Sequence, residues 1–319
     1  MNIIFFGTPQ SAVDSLKSLL KSGHDIRLII TQPDRPSGRG QTTSSSPVKT
    51  FAVDKGIPFI QPLKIRKDKQ AFEQIKKSQP DLNVVVAYGQ IIPAEMIYFP
   101  PHNTINVHFS LLPKYRGASP VQWAIQEGEK ETGITIFELN EKMDEGPILT
   151  QKPVPILPGE NAGELQQRLS RTGAEFLADT VSRIHELMPK PQNHARATYA
   201  PLIKKQDGHI NWTQPADKTD RLVRAFTPWP SAFTFLQGKR LKVLEGCPID
   251  LPSGHDSAPG MIILISQQGL TVACGGETAY LMKKVQPENK KPMDAYAFSL
   301  GARLKTGDFL DNRPSPSEK

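Results

Sequence analysis

The strongest constraint on this chain is the character of its apolar runs. Residues 3–6, 26–30 and 82–87 are short, mostly apolar stretches without strict alternation of polar and apolar side chains. A strand wetted on one face alternates, whereas a strand covered on both faces reads as such a run. Between the first two lies a stretch with helical spacing, residues 10–21. It places Ala12, Val13, Leu16, Leu19 and Leu20 along one side, with Thr8-Pro9 as a start and Gly23 as a stop. A polar loop follows at 32–46. Ser46-Pro47 opens a second helix that closes near Gly56, residues 57–60 form a short strand, and 69–77 form a third helix. Residues 104–108 read as a strand, 120–127 as a short helix, 132–139 and 148–153 as two more strands, and 162–187 as a long amphipathic helix. Strands alternating with helices imply an α/β domain built on a Rossmann-like, mostly parallel sheet. We assign it residues 1–188.

The pattern then changes. Residues 189–203, opening on Pro189-Lys190-Pro191, read as a linker. From 204 to 312 the signals favour strands, at 232–236, 241–244, 260–266, 270–273 and 280–285, with one helix around 218–225. This predicts a smaller β-barrel of OB-like type. Residues 313–319 read as a disordered tail.

Composition sets limits on function. Among 319 residues, 38% are hydrophobic and 22% charged, a globular balance. No apolar run reaches the roughly 18–20 residues that a membrane helix needs, and the start lacks the features of a signal peptide. Cys247 and Cys274 form neither a CxxC pair nor a metal cluster. Together these features lead us to expect a cytoplasmic protein. The net charge of +7 is spread over both halves, which allows a polyanionic partner and equally fits an ordinary basic enzyme.

The loop Gly7-Thr8-Pro9-Gln10-Ser11-Ala12 lacks the glycine spacing of a dinucleotide site. The most informative segment is Asn106-Val107-His108-Phe109-Ser110-Leu111-Leu112-Pro113-Lys114-Tyr115-Arg116-Gly117. On a strand, Asn106 and His108 point to one side. They stand at the C-terminal end of a parallel strand, where open α/β sheets bind ligands. An Asn amide can donate to an oxyanion, and a His can move a proton near neutral pH. From spacing alone, two structural polar residues are the commoner explanation. His24, His185, His194, His209 and His255 read as exposed structural residues, and no histidine pair has metal-ligand spacing. Trp212 and Trp229 could stack on bases, although packing in a core or linker is the commoner use.

The Asn-Val-His run with Ser-Leu-Leu-Pro and Tyr-Arg-Gly resembles the signature of folate-dependent formyltransferases. Met143-Asp144-Glu145-Gly146-Pro147-Ile148-Leu149 resembles that family's second signature. Val85-Val86-Ala87-Tyr88-Gly89-Gln90-Ile91-Ile92-Pro93 is similar to the strand and loop lining its pterin pocket. Within the family, the chain looks most like the branch acting on methionyl-tRNA. That likeness rests on Phe5-Phe6-Gly7-Thr8-Pro9, on Gln32-Pro33-Asp34-Arg35-Pro36-Ser37-Gly38-Arg39-Gly40, on Gly208-His209-Ile210-Asn211-Trp212 and on Phe226-Thr227-Pro228-Trp229-Pro230.

The resemblance implies Asn106, His108 and Asp144 as catalytic residues. It implies a folate site at Ser110, Leu111, Leu112 and Pro113, with Ala87, Tyr88, Gly89, Gln90 and Ile91. The formyl donor would be 10-formyltetrahydrofolate, with no metal, and the acceptor the methionine of initiator Met-tRNA. Asn106 would hold the oxyanion. His108 would act as base or, protonated, as a second oxyanion donor, with Asp144 beside it. Tyr115-Arg116 would contact the folate or hold the turn. Contacts to tRNA would come from Arg35, Arg39 and Lys49 on one loop and from Lys204, Lys205 and Arg240 on the barrel. Where that loop often carries lysines after Gly-Arg-Gly, this chain has Gln41-Thr42-Thr43-Ser44-Ser45-Ser46. The expected assembly is a monomer. A sugar-nucleotide N-formyltransferase, a 10-formyltetrahydrofolate hydrolase and a non-catalytic RNA-binding protein are the competing readings.

Overall fold

In chain order the first strands of the computed structural model are β1 (Asn2–Gly7), β2 (Asp25–Ile30), β3 (Arg35–Ser37), β4 (Thr42–Ser44), β5 (Phe59–Ile60), β6 (Leu82–Val86), β7 (Thr104–His108), β8 (Glu131–Glu138) and β9 (Ile148–Pro155). Helices α1 (Gln10–Lys21), α2 (Pro47–Lys55), α3 (Lys69–Lys77), α4 (Ala94–Ile97), α5 (Pro120–Gln126) and α6 (Ala162–Ser182) connect or follow them. The structure describes residues 1–37, 42–251 and 257–310. Arg39, His255 and the expected tail at 313–319 lie outside the described residues.

Seven strands form one sheet in the order β5-β2-β1-β6-β7-β8-β9. From β5 to β7 every neighbouring pair is parallel. The pairs β7–β8 and β8–β9 are antiparallel. The chain moves outward on one side of β1 through β2 and β5, then returns to β6 on its other side. The order therefore reverses beside β1, and the crevice outside the strand ends there is where such sheets bind ligands.

Local sequence explains the elements. Alpha1 buries Ala12, Val13, Leu16 and Leu19, one stripe of its surface. Ser46 caps α2 by accepting from the Lys49 amide at 3.0 Å, and Gly56, at φ +64°, ends it in the left-handed conformation. Asp68 caps α3 by accepting from the Ala71 amide at 2.9 Å. One apolar cluster under the sheet gathers Ile4, Phe6, Leu28, Ile30, Val85, Tyr88 and Met96.

Contacts divide the chain into two units. The first holds Met1–Pro120, Glu131–Pro155 and Gln166–Pro201; the second holds Val121–Lys130, Ile156–Leu165 and the chain from Leu202 onward. The second contains α7 (Ala216–Ala225), β10 (Ala232–Leu236), β11 (Lys239–Asp250), β12 (Ile262–Ser266), β13 (Gly269–Cys274), β14 (Thr278–Pro287), β15 (Met293–Asp294) and α8 (Ala295–Ala302). Its sheet runs β10-β11-β14-β13-β12 with β15 on β14, and all pairs are antiparallel. Trp212, Val223, Val243, Ile262, Val272, Tyr280 and Met282 form the core of this barrel-like unit. Trp212 is fully buried and donates to Thr234 Oγ1 at 3.0 Å, so it is a core residue, while Trp229 is half exposed.

Besides the short elements α4 and β15, three features depart from the sequence reading. The polar loop 32–46 holds the two-stranded ribbon β3–β4. The long helix ends at Ser182 and is followed by a 3₁₀ turn, Ile184–Glu186. Alpha8 was not expected, because its apolar residues give almost no one-sided pattern; the Asp294 side chain starts it by accepting from the Tyr296 and Ala297 amides at 2.8 and 3.2 Å.

Candidate active site

Beta7 delivers Asn106 and His108 to its C-terminal end. Their neighbours Ile105 and Val107 take the opposite face and are buried. Asn106 lies half-buried on β7, opposite Phe137 of β8. His108 is 6% exposed, with its ring edge-on to Phe137. Its Nε2 lies 2.8 Å from the Tyr115 carbonyl oxygen. A carbonyl only accepts, so Nε2 carries the proton and Nδ1 is the atom left to exchange one. Nδ1 faces Asp144 Oδ2 at 3.8 Å.

Asp144 comes from the loop between β8 and β9. Its φ of +53° is uncommon for a residue with a side chain. The carboxylate accepts from the Gly117 amide at 2.8 Å, which joins the two signature loops. The loop passes so close to β8 that a Cβ on Gly146 would stand 1.8 Å from the Glu138 carbonyl oxygen. Burial raises the Glu138 carboxyl above its usual range.

The turn from Ser110 to Gly117 is held mainly through its backbone. Thr135 Oγ1 donates to the Ser110 carbonyl at 2.6 Å and accepts from the Leu112 amide at 3.0 Å. Gln151 Nε2 donates to the Leu112 carbonyl and to Thr135 Oγ1, both at 2.8 Å. The Leu112-Pro113 bond is cis, and Leu111 and Pro113 are half-buried. Arg116 is 2% exposed and holds the turn. It donates to Gln192 Oε1 from Nε (3.1 Å) and Nη2 (2.7 Å), meets His194 Nδ1 at 3.1 Å, and pairs with Glu145 at 3.4 Å. His194 is largely exposed, as read from the sequence, and meets Arg116 from the surface.

The residues after β6 divide by role. Ala87, Gly89 and Ile91 are exposed at the strand end, the first two with positive φ. Tyr88 turns inward, packs edge-on against Phe6 at 5.5 Å, and leaves its hydroxyl buried and unpartnered. Gln90 braces the preceding segment by accepting from the Ile65 amide (2.9 Å) and donating to the Pro62 carbonyl (3.0 Å).

Among the basic residues read as tRNA contacts, Arg35 is exposed and donates to Gln32 at 3.1 Å, while Lys49 is half-buried and ion-paired with Asp34. In the second unit Lys204 and Lys205 are exposed, and the Arg240 guanidinium lies 4.2 Å from the centre of the Phe233 ring. His209 is not an exposed residue. It stacks on Phe233 at 5.3 Å with Nε2 buried and unpartnered, and burial followed by the Arg240 charge lowers its pKa. Both cysteines are free thiols, and burial pushes Cys274 up to about 12.

Gln151, Thr135, Gln192 and Thr198 were missed in the sequence. Each acts through a backbone carbonyl or amide, and no motif or periodicity marks such a use. No helix among the described residues is long and apolar enough to cross a membrane.

Comparison with known proteins adds to this geometry. The formyl transferase family model matches residues 1–181, and the formyl transferase C-terminal domain model matches residues 202–303. The methionyl-tRNA formyltransferase of Geotalea uraniireducens (strain Rf4) is 43% identical over 315 residues, covering 98% of this chain and 99% of the relative. That of Thermodesulfovibrio yellowstonii is 43% identical over 307 residues, covering 96% and 97%. In fold, the chain is similar to an N-formyltransferase from Helicobacter canadensis, solved with folinic acid and dTDP-3-aminofucose. The TM-score is 0.65 at 18% identity, over 89% of this chain and 98% of that one. The chain thus belongs to the formyltransferase family, in its methionyl-tRNA formyltransferase branch.

Proposed function

We propose that this chain transfers the formyl group of 10-formyltetrahydrofolate to the α-amino nitrogen of methionine on initiator tRNA, giving N-formylmethionyl-tRNA. The amine attacks the formyl carbon, and a tetrahedral oxyanion forms. Asn106 donates to that oxygen; one such preorganised donor contributes about 3–4 kcal/mol in the transition state. The amine proton passes to His108 Nδ1. Asp144, 3.8 Å away, stabilises the imidazolium and orients the water through which the proton reaches folate N10 as the C–N10 bond breaks. In the other reading His108 is a permanently protonated oxyanion donor, and the amine proton leaves through the water that Asp144 orients. The observation that supports the base is the Nε2 contact to the Tyr115 carbonyl, which keeps the lone pair of a neutral ring on Nδ1.

Folate would rest on the exposed strand end at Ala87, Gly89 and Ile91 and on the turn Ser110, Leu111, Leu112 and Pro113. Tyr88 and Gln90 would shape that site from behind. Arg35, Arg39, Lys204, Lys205 and Arg240 would meet tRNA phosphates, with Lys49 bracing the loop through Asp34. The enzyme would work as a monomer in the cytoplasm, where tRNA is charged.

The test is direct. Purified protein, 10-formyltetrahydrofolate and charged initiator tRNA should yield formyl-Met-tRNA, seen by mass analysis of the aminoacyl end. Turnover with an amino-sugar nucleotide and none with Met-tRNA would reassign the acceptor. Formate release to water at equal rate with and without tRNA would make it a hydrolase.

A further inference from the structure

The stretch between the two family-matched regions reads as a linker, yet it binds both signature loops. Lys190 and Ile148 exchange backbone hydrogen bonds of 2.8 Å in each direction. The Arg116 amide donates to the Thr198 carbonyl at 2.9 Å, and the Ala200 amide to the Arg116 carbonyl at 2.7 Å. Thr198 Oγ1 accepts from the Tyr115 amide at 2.8 Å. The segment therefore lies along the turn that ends at Gly117 and the loop that carries Asp144.

Gln192 stands where these contacts converge, 5% exposed. Its amide nitrogen donates to the Asp144 carbonyl at 2.9 Å and to the Gly146 carbonyl at 2.8 Å. Its oxygen accepts twice from Arg116. A glutamine amide offers two N–H donors and one oxygen with two lone pairs, and all four are used. Glutamate would lack the donors and methionine would lack both. A non-glycine residue held at positive φ persists only where its surroundings over-determine it, and Gln192 bonds the carbonyls of Asp144 and Gly146, on both sides of Glu145.

We infer that Gln192 is a positioning residue for the Asp144–His108 pair. It fixes the Asp144 backbone so that the carboxylate reaches the Gly117 amide and faces His108 Nδ1. The inference rests on the roles proposed above for those two residues.

The test uses the full chain with Gln192→Met, close to isosteric, and Gln192→Glu, which keeps the acceptor for Arg116. In both, hydrogen exchange at the Gly117 amide should quicken by about tenfold or more, while core amides of β1 and β6 stay protected. For formyl transfer, kcat should fall by about tenfold to a hundredfold, with KM for folate and for Met-tRNA within about twofold. Introduced into Asp144→Asn protein, either change should leave the residual kcat where it was, because one effect acts through the other. Unchanged exchange at Gly117, wild-type kcat in Gln192→Glu, or losses that multiply in full with Asp144→Asn would each overturn the inference. A wild-type chain that fails to formylate Met-tRNA would sink the proposed function instead, and the exchange measurement would still decide whether Gln192 holds this loop.

Discussion

His108 and Tyr115 are joined by a 2.8 Å contact from imidazole Nε2 to a backbone carbonyl. This contact orients the ring and sets its tautomer, so the atom that can take a proton is the one that looks at Asp144. Removal of either partner should therefore act on the chemical step. His108→Ala and Asp144→Ala should each lower kcat on the order of 10²–10⁴-fold, with affinity for tRNA retained in a filter-binding assay. Full rate in either variant would remove that residue from the mechanism.

Gly146 has no room for a side chain against the Glu138 carbonyl. Gly146→Ala should push the loop away from β8 and carry Asp144 with it. We expect a stability loss of about 1–3 kcal/mol in urea unfolding and a fall in kcat larger than any change in KM. An alanine variant with native kinetics would mean that the loop tolerates the displacement.

His209 gives a dependence on pH with a definite sign. Its folded pKa lies below the ordinary value because burial between Phe233 and Phe235, and then the Arg240 charge, disfavour the imidazolium. Between that lowered value and about 6.5, the unfolded chain binds more protons than the folded one. Stability should thus fall as pH drops from about 6.5 into that window. His209→Phe should flatten the change in thermal midpoint between neutral and mildly acidic buffer. Equal acid sensitivity in both proteins would contradict the assignment.

Lys204 and Lys205 are exposed in the second unit. If they meet phosphates, Lys204→Ala and Lys205→Ala should each reduce the slope of log affinity against log salt by about 1 and raise KM for tRNA. KM for folate should not move. Unchanged salt slopes would return them to ordinary solvated surface.

Much of the fold was legible because it depends on repeating patterns. Helices α1 and α3 and strands β7 and β10 fall where spacing and caps put them. Ser46 and Gly56 bound α2 for reasons that act within one turn of the chain. Alpha8 was hidden because its apolar residues surround it, and only its Asp294 cap signals a start. In the candidate site, periodicity placed Asn106 and His108 on one face, while Asp144 needed the family resemblance, since only folding brings residue 144 beside residue 117. Arg116 was left between two uses; it is buried, and its contacts with Gln192 and Glu145 are those of a brace for the turn. Gln192 itself was invisible, because a polar residue among prolines has the composition of a connector whichever way its amide points.

The contacts of residues 190–200 bear on how such chains can be cut and recombined. The two family models leave residues 182–201 between them, and composition alone would put a junction near residue 188. A chimera joined there, with its second half from a distant relative, would take the Gln192 and Thr198 of a stranger and offer them to Arg116, Asp144 and Tyr115. A chimera joined after Pro201 keeps that set native. Exchange of the second half between relatives should therefore succeed at the second junction and cost catalysis at the first.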